Sequence, residues 1–284
     1  MTTIKDISNL IESIAPLSLQ EGYDNAGLIV GDPSATVKGV LICLDSTEEV
    51  IDEAIKLNCN LVIAHHPIVF SGLKKLNGTN YVERTVIKAI KNDIAIYAAH
   101  TNLDNVWGGV NFKIAEKLGL VNCEILSSKQ DLLRRLITFC PLEKAAEVRD
   151  ALFKAGAGHI GKYDECSFNS EGMGTFKAGE NTDPYVGKPG ERHNEKELKI
   201  ETIYPVYLEN EIITALIKAH PYEEVAYDII PLGNAFNRVG SGVIGELKEE
   251  ENELDFLKRV KKTMNCGCIK YTGLLGKKVK KVAV

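Results

Sequence analysis

His65 and His66 stand side by side at the end of an apolar run, Leu61-Val62-Ile63-Ala64-His65-His66-Pro67. A second such run, Ile94–Ala99, leads straight into His100-Thr101-Asn102-Leu103-Asp104. The chain has only six histidines, so three of them fall in these two places. Imidazole nitrogen with carboxylate oxygen is the donor set of zinc, manganese, iron, nickel or cobalt. No cysteine stands within either segment, which argues against a structural thiolate site. A carboxylate can bridge two metals, and pairs of ions about 3.5–4 Å apart serve hydrolytic chemistry. A histidine at a strand end is ordinarily a hydrogen-bonded group. Spacing alone leaves that reading beside metal binding by His65, His66, His100 and Asp104.

These residues need elements to hold them. The N-terminal stretch reads as an amphipathic helix. Lys38–Leu44 reads as a strand, and Ser46-Thr47-Glu48-Glu49 as a capping box opening a helix through Leu57. Leu61–Ala64 is a short continuous strand, Tyr81–Asn92 a helix, Ile94–Ala99 a strand and Val110–Leu118 a helix after Gly108-Gly109. That alternation predicts an α/β core domain with a mostly parallel sheet and flanking helices. Both histidine segments fall at carboxyl ends of strands, where open α/β sheets bind ligands. Neighbours within a strand point to opposite faces, but Pro67 ends the ladder and lets both imidazoles turn to one region. Asp45, also at a strand end, reads equally as a helix N-terminal residue or a catalytic one. The turn-rich Gly22–Leu28 reads as a pocket lining or a tight turn. Gly72–Asn80 lacks the Gly-Lys-Ser/Thr ending of a phosphate loop.

The texture changes near Ser127. Asp131–Cys140 reads as a strand and Pro141–Ala155 as a helix with proline in its first turn. A glycine-rich section from Gly156 to Gly190 follows, then a strand at Glu197–Tyr204, a helix at Glu209–Ala219 and a strand at Val225–Ile230. That order suits a ferredoxin-like α+β insert. The expected organisation is a core domain over 1–126, the insert over 127–233, and a return to the core over 234–284. The return segment carries a helix at Leu254–Lys262 and a strand at Lys278–Val284. His159 and His220 read as local hydrogen-bonding groups, and His193 as an exposed group in a charged loop.

The net charge is -5, with 34 basic and 39 acidic residues. Neutralising phosphates needs a basic face, so nucleic acid is not expected as a main partner. No apolar run approaches the roughly 20 residues that span a bilayer, so no membrane partner is expected. The N-terminus lacks the basic-then-apolar layout of a signal peptide, which makes a cytoplasmic location the default. Seven scattered cysteines read as reduced, mostly buried thiols, and Cys266-Gly-Cys268 is weak as a metal motif.

Three segments, LVIAHHPIVF, AAHTNLDNVWGGVN and YDNAGLIVG, resemble the Nif-three-like dinuclear-metal-centre family, whose members often carry the name GTP cyclohydrolase 1 type 2 homologue. The likeness covers the whole chain. GAGHIGKYDECSF, AHPYEEVAYDIIPL and GSGVIGEL resemble the module that many bacterial members carry within the core. The resemblance implies an insert similar to the CutA and PII signalling folds. It also implies a toroidal homohexamer with metal centres facing its cavity, two divalent ions per complete subunit, and a small-molecule substrate. His65, His66 and Asp104 match the family's ligands; His100 matches a histidine that lies at the centre, as a ligand or as the support of one. Tyr23 stands where a tryptophan is usual. Relatives continue beyond the strand matching Lys278–Val284 to a histidine and a glutamate that complete the site. The resemblance therefore implies a chain shortened at its C-terminus, with two ions under-coordinated. Three functions follow as expectations: a metal-dependent hydrolase acting on a cyclic amidine such as GTP, a non-catalytic metal-dependent binding or regulatory protein, or an inactive shortened form.

Overall fold

Helix α1 (Ile4–Ile14) starts at a reciprocal cap. The Thr3 hydroxyl accepts from the Asp6 N–H at 3.2 Å, and the Asp6 carboxylate accepts from the Thr3 N–H at 2.7 Å. The chain then builds β1 (Gly27–Val30), β2 (Val40–Asp45), α2 (Glu48–Lys56), β3 (Leu61–His66), α3 (Tyr81–Lys91) and β4 (Ala95–Ala98). This computed structural model describes Met1–Val284. The four strands form one sheet in the order β1-β4-β3-β2. Strands β2, β3 and β4 are parallel, and β1 is antiparallel to β4.

Alternation along these strands sends residues to two cores. Val62 and Ile96 pack with Ile51, Ala54, Val86 and Ala89 of α2 and α3. Leu61, Ala95 and Tyr97 pack with Ile4 of α1 on the other side. Burial on both faces makes β4 a continuous apolar run rather than an alternating one.

Two short-range expectations shift. Helix α2 is capped by Thr47, whose hydroxyl accepts from the Val50 N–H at 3.3 Å, one residue later than a box starting at Ser46. The segment Gly22–Leu28 is not all turn, since Gly27 already pairs with Ala98 as the start of β1.

After β4 come α4 (Thr101–Asn105), α5 (Val110–Lys117) and β5 (Leu120–Lys129). Neither α4 nor β5 was legible as a separate element. The same unit resumes late in the chain, because Met1–Ser128 and Asn237–Val284 cluster together while Lys129–Phe236 forms a second unit.

The second unit holds β6 (Leu133–Pro141), α6 (Ala145–Lys154), β7 (Ser167–Lys177), β8 (Arg192–Pro205), α7 (Glu209–Ala219) and β9 (Tyr227–Leu232). Its sheet order is β7-β8-β6-β9, every pair antiparallel. Leu136, Cys140, Ile200 and Tyr204 on one face pack against Val148, Leu152, Ile212 and Leu216 of the two helices. Pro141 does not open α6. It ends β6, opposite Glu197, and the helix begins at Ala145. A proline at a strand's last residue sacrifices little of the ladder. The glycine-rich section contains all of β7, which pairs with β8 from Thr202 to Arg192. His193 is therefore half-buried in a strand, bonded to Glu195 at 2.8 Å, rather than exposed in a loop.

His220 is buried in this unit. Its Nε2–H donates to the Phe139 carbonyl at 2.9 Å, and its Nδ1 accepts from the Tyr222 N–H at 3.1 Å. The second bond needs the neutral ring, because a protonated Nδ1 cannot accept. Burial lowers its pKa, outweighing the Phe139 bond and the Glu197 charge. A lowered histidine pKa contributes stability above the unfolded value of 6.5 and loses it as pH falls from there through the folded value. The thermal midpoint is expected to fall between pH 7 and pH 5, and to fall less steeply in His220→Gln. Equal slopes in calorimetric scans of the two proteins would reject this assignment.

The first unit is completed by β10 (Phe236–Asn252), α8 (Glu253–Thr263) and β11 (Lys278–Ala283). Its second sheet has the order β11-β10-β5. Val243 and Leu247 of β10 pack with Ala115, Leu118 and Leu120, and against Phe256 and Val260. No helix is long and apolar enough to cross a membrane. All seven cysteines are free, but only Cys140 is buried, and Cys266 and Cys268 are exposed.

Candidate metal centre

Strand β3 runs two residues further than Leu61–Ala64, so that His66 pairs with Asp45 across β2 and β3. At this last pair before Pro67 the side chains no longer diverge, and the rings of His65 and His66 lie 5.0 Å apart at 49°. Strand β4 stops at Ala98, and the Ala99 N–H bonds the Ala64 carbonyl at 2.9 Å. The chain then turns into α4, with His100 at its N-cap. That turn brings the His100 ring to 5.3 Å from His65 and 5.6 Å from His66. The three residues offer nitrogens all within 4.8 Å of one another, so this cluster could hold a metal ion.

Each ring commits Nδ1 to an oxygen. His65 Nδ1 donates to the Ala99 carbonyl at 2.8 Å. His66 Nδ1 donates to Asp45 Oδ1 at 2.7 Å, which gives Asp45 a role beyond a helix terminus. His100 Nδ1 donates to Asp24 Oδ1 at 2.7 Å. Since carbonyls and carboxylates accept, each neutral ring carries its proton on Nδ1 and keeps the Nε2 lone pair free. An imidazole held through one nitrogen by an oxygen acceptor is the usual state of a metal ligand.

Asp24 is the residue that sequence reasoning did not single out. Its side chain is fully buried. Oδ1 accepts from His100 and, at 2.7 Å, from the Asn25 N–H. Oδ2 accepts from the Thr101 N–H at 3.0 Å and from the Thr101 hydroxyl. Burial pushes its carboxyl up, but these four donors outweigh burial and hold it below its ordinary value. The sequence shows an acid in a turn-rich loop, and nothing local marks a partner 76 positions away.

Asp104 stands at the edge of the cluster on α4, with Oδ1 3.8 Å from His65 Nε2. Burial raises its carboxyl, the nearby His65 and His100 rings pull it down, and Asp24 adds to the rise. A cavity of about 260 Å³ opens beside it, lined by Glu21, Tyr23, Thr101, Asn105 and Asn111 among others. An exposed aromatic ring flanks the histidines: Phe70 lies 6.4 Å from His100, edge-on, and 6.2 Å from the exposed Tyr23 ring.

The family model described as Duf34/NIF3 (NGG1p interacting factor 3) matches residues 2–284. The chain belongs to the DUF34/NIF3 family. Within it, a GTP cyclohydrolase 1 type 2 homolog of Halalkalibacterium halodurans is 44% identical over 279 residues, covering 98% of this chain and 75% of that protein. The homolog of that name in Bacillus subtilis is 42% identical over 281 residues, covering 99% of this chain and 75% of its own length. The crystal structure of a Bacillus cereus protein related to NIF3 superposes with a TM-score of 0.87 at 44% identity, over 99% of this chain and 76% of that one.

Proposed function

We propose that this DUF34/NIF3 chain binds a divalent metal ion through His65, His66 and His100, with Asp104 as carboxylate donor, and serves as a metal-dependent hydrolase. The observation that carries the reading is the set of three Nδ1 bonds, which leaves one free nitrogen on each clustered ring. Three imidazoles and one carboxylate make a single four-donor set, suited to one ion, and its chemistry accepts zinc, manganese, iron, nickel or cobalt. A bound ion would supply Lewis acidity toward an oxygen of water or substrate.

The residues around it orient and support. Ala99, Asp45 and Asp24 fix the three rings, and Asp104 brings negative charge to the cluster. Tyr23 and Phe70 offer stacking faces for a flat heterocycle. Relatives named GTP cyclohydrolase 1 type 2 homolog make GTP, or a related cyclic amidine, the first substrate to try. The assembly taken with this reading is a toroidal homohexamer in the cytoplasm.

The protein is expected to bind about one zinc or manganese ion per chain in equilibrium dialysis followed by elemental analysis. His65→Ala and Asp104→Ala are expected to cut metal-dependent GTP hydrolysis at least tenfold. Equal turnover in all three proteins would remove the hydrolase reading. Tight metal binding without turnover would leave a metal-dependent binding protein.

A further inference from the structure

The sheet of the second unit has helices α6 and α7 on one face. Beside its edge strand β7, away from that core, lies a hollow of about 640 Å³, the size of a small-molecule site. Two glycines create it. Gly172 pairs directly with Glu197 of β8, so the two residues share a face. A Cβ at Gly172 would meet nothing within 4 Å. A Cβ at Gly174 would collide with Glu197 Oε2, so the Glu197 side chain lies across the space that Gly174 leaves.

Glu197 is only 8% exposed, and its Oε1 accepts from the Tyr222 hydroxyl at 2.7 Å. Tyr222 stands at the centre of an aromatic wall, 6.1 Å from the Phe176 ring and 6.3 Å from that of Tyr185. The loop bearing Tyr185 is tied down. Its hydroxyl donates to Glu143 at 2.8 Å, and the Asp183 N–H donates to Glu223 at 3.1 Å. Glu171, Glu197, Glu223 and Glu224 line the hollow against Lys177 and Lys199, and Lys199 is already paired with Glu201. The balance of charge is negative.

We propose that this hollow binds an organic cation with a flat aromatic body. The ammonium group meets the Glu197 carboxylate, and the body lies among Phe176, Tyr185 and Tyr222. A buried carboxylate beside ring faces favours a cation and disfavours an anion of the same shape. The site lies wholly within the second unit and does not depend on the histidine cluster.

Tryptamine, indole and indole-3-acetate share one ring system and differ in charge, so calorimetric titration of the full chain with each reads the proposal directly. Tryptamine is expected to bind at least tenfold more tightly than the other two. Gly172→Leu, which fills open space on ordinary extended backbone, is expected to abolish the binding. Glu197→Gln, which keeps an acceptor for Tyr222, is expected to weaken it about tenfold. Thermal melts check that both variants fold, and if Gly172→Leu does not, Glu197→Gln decides. No tryptamine binding at millimolar concentration, equal binding of indole-3-acetate, or wild-type affinity in a folded variant overturns the proposal.

Discussion

Asp24→Ala is expected to weaken zinc binding roughly 10–100-fold, the usual cost of removing a carboxylate that holds a ligand imidazole. The residue touches no candidate donor nitrogen, since its bond is to the far side of the His100 ring. Its loss frees that ring to rotate or to move its proton to Nε2, either of which withdraws the lone pair. The same change strands the His100 Nδ1–H, the Thr101 N–H and the Thr101 hydroxyl in a buried place. Stranded buried donors cost about 1–3 kcal/mol each before relaxation, so a loss of about 3 kcal/mol in the metal-free protein, the lower end of the sum for three, is expected once the loop relaxes. Asp24→Asn is not a mild control. All four partners are donors, and an amide nitrogen would face one of them with a proton of its own. Both variants should therefore lose metal affinity together in competition titrations with a chromogenic chelator. Wild-type affinity in Asp24→Asn would show that the ring is held by something else.

Gly109→Ala is expected to destabilise the first unit by about 3 kcal/mol, the upper end for forcing an atom into filled space. A Cβ at Gly109 would fall inside the Leu103 carbonyl oxygen and 3.0 Å from that of Val106. Both obstacles are backbone, so no side chain can swing aside. Leu103 belongs to α4, whose next residue is Asp104, and Asn111 donates to the Asp104 carbonyl at 3.1 Å. Relieving the clash shifts α4 and with it the Asp104 carboxylate, and zinc affinity should drop with stability. Gly108→Ala is the comparison. Gly108 has φ +81°, yet its Cβ would point into open space. Only the left-handed backbone penalty applies, about 1–2 kcal/mol. Urea unfolding of the two variants should separate them by at least 1 kcal/mol, and coincident curves would defeat the steric argument.

The parallel core was legible because its signals are local. Continuous apolar runs marked β3 and β4, and helical periodicity placed α7 over Glu209–Ala219. The pair at His65 and His66 and the His100-to-Asp104 spacing were legible for the same reason. What escaped depends on distant partners. Strand β5 reads Leu-Val-Asn-Cys-Glu-Ile-Leu-Ser-Ser-Lys, and its neighbour β10 lies more than a hundred residues later. Helix α4 is five residues long, too short to show a period. Asp24 and Asp45 acquire their meaning only when the fold sets them beside His100 and His66. The glycine-rich section marked no bounds for β7 because glycine weakens a strand on its own; paired with β8 along eleven residues, its glycines hold a place in the sheet.

The discontinuous first unit has a consequence for the order of events on the ribosome. Synthesis runs from the N-terminus, so every residue of the second unit, Lys129–Phe236, is available before Asn237 is made. The four-stranded sheet carrying the histidines can also form early, since its last strand ends at Ala98. Strand β5 cannot. Its neighbour β10 begins at Phe236, and β11 follows only at Lys278. Through that interval β5 presents an unpaired ladder of N–H and C=O groups, the kind of edge on which nascent chains associate wrongly. Closure of β10 onto β5 thus joins a strand made after the second unit to one that has waited since before that unit was made, and β11 can add to β10 only later still.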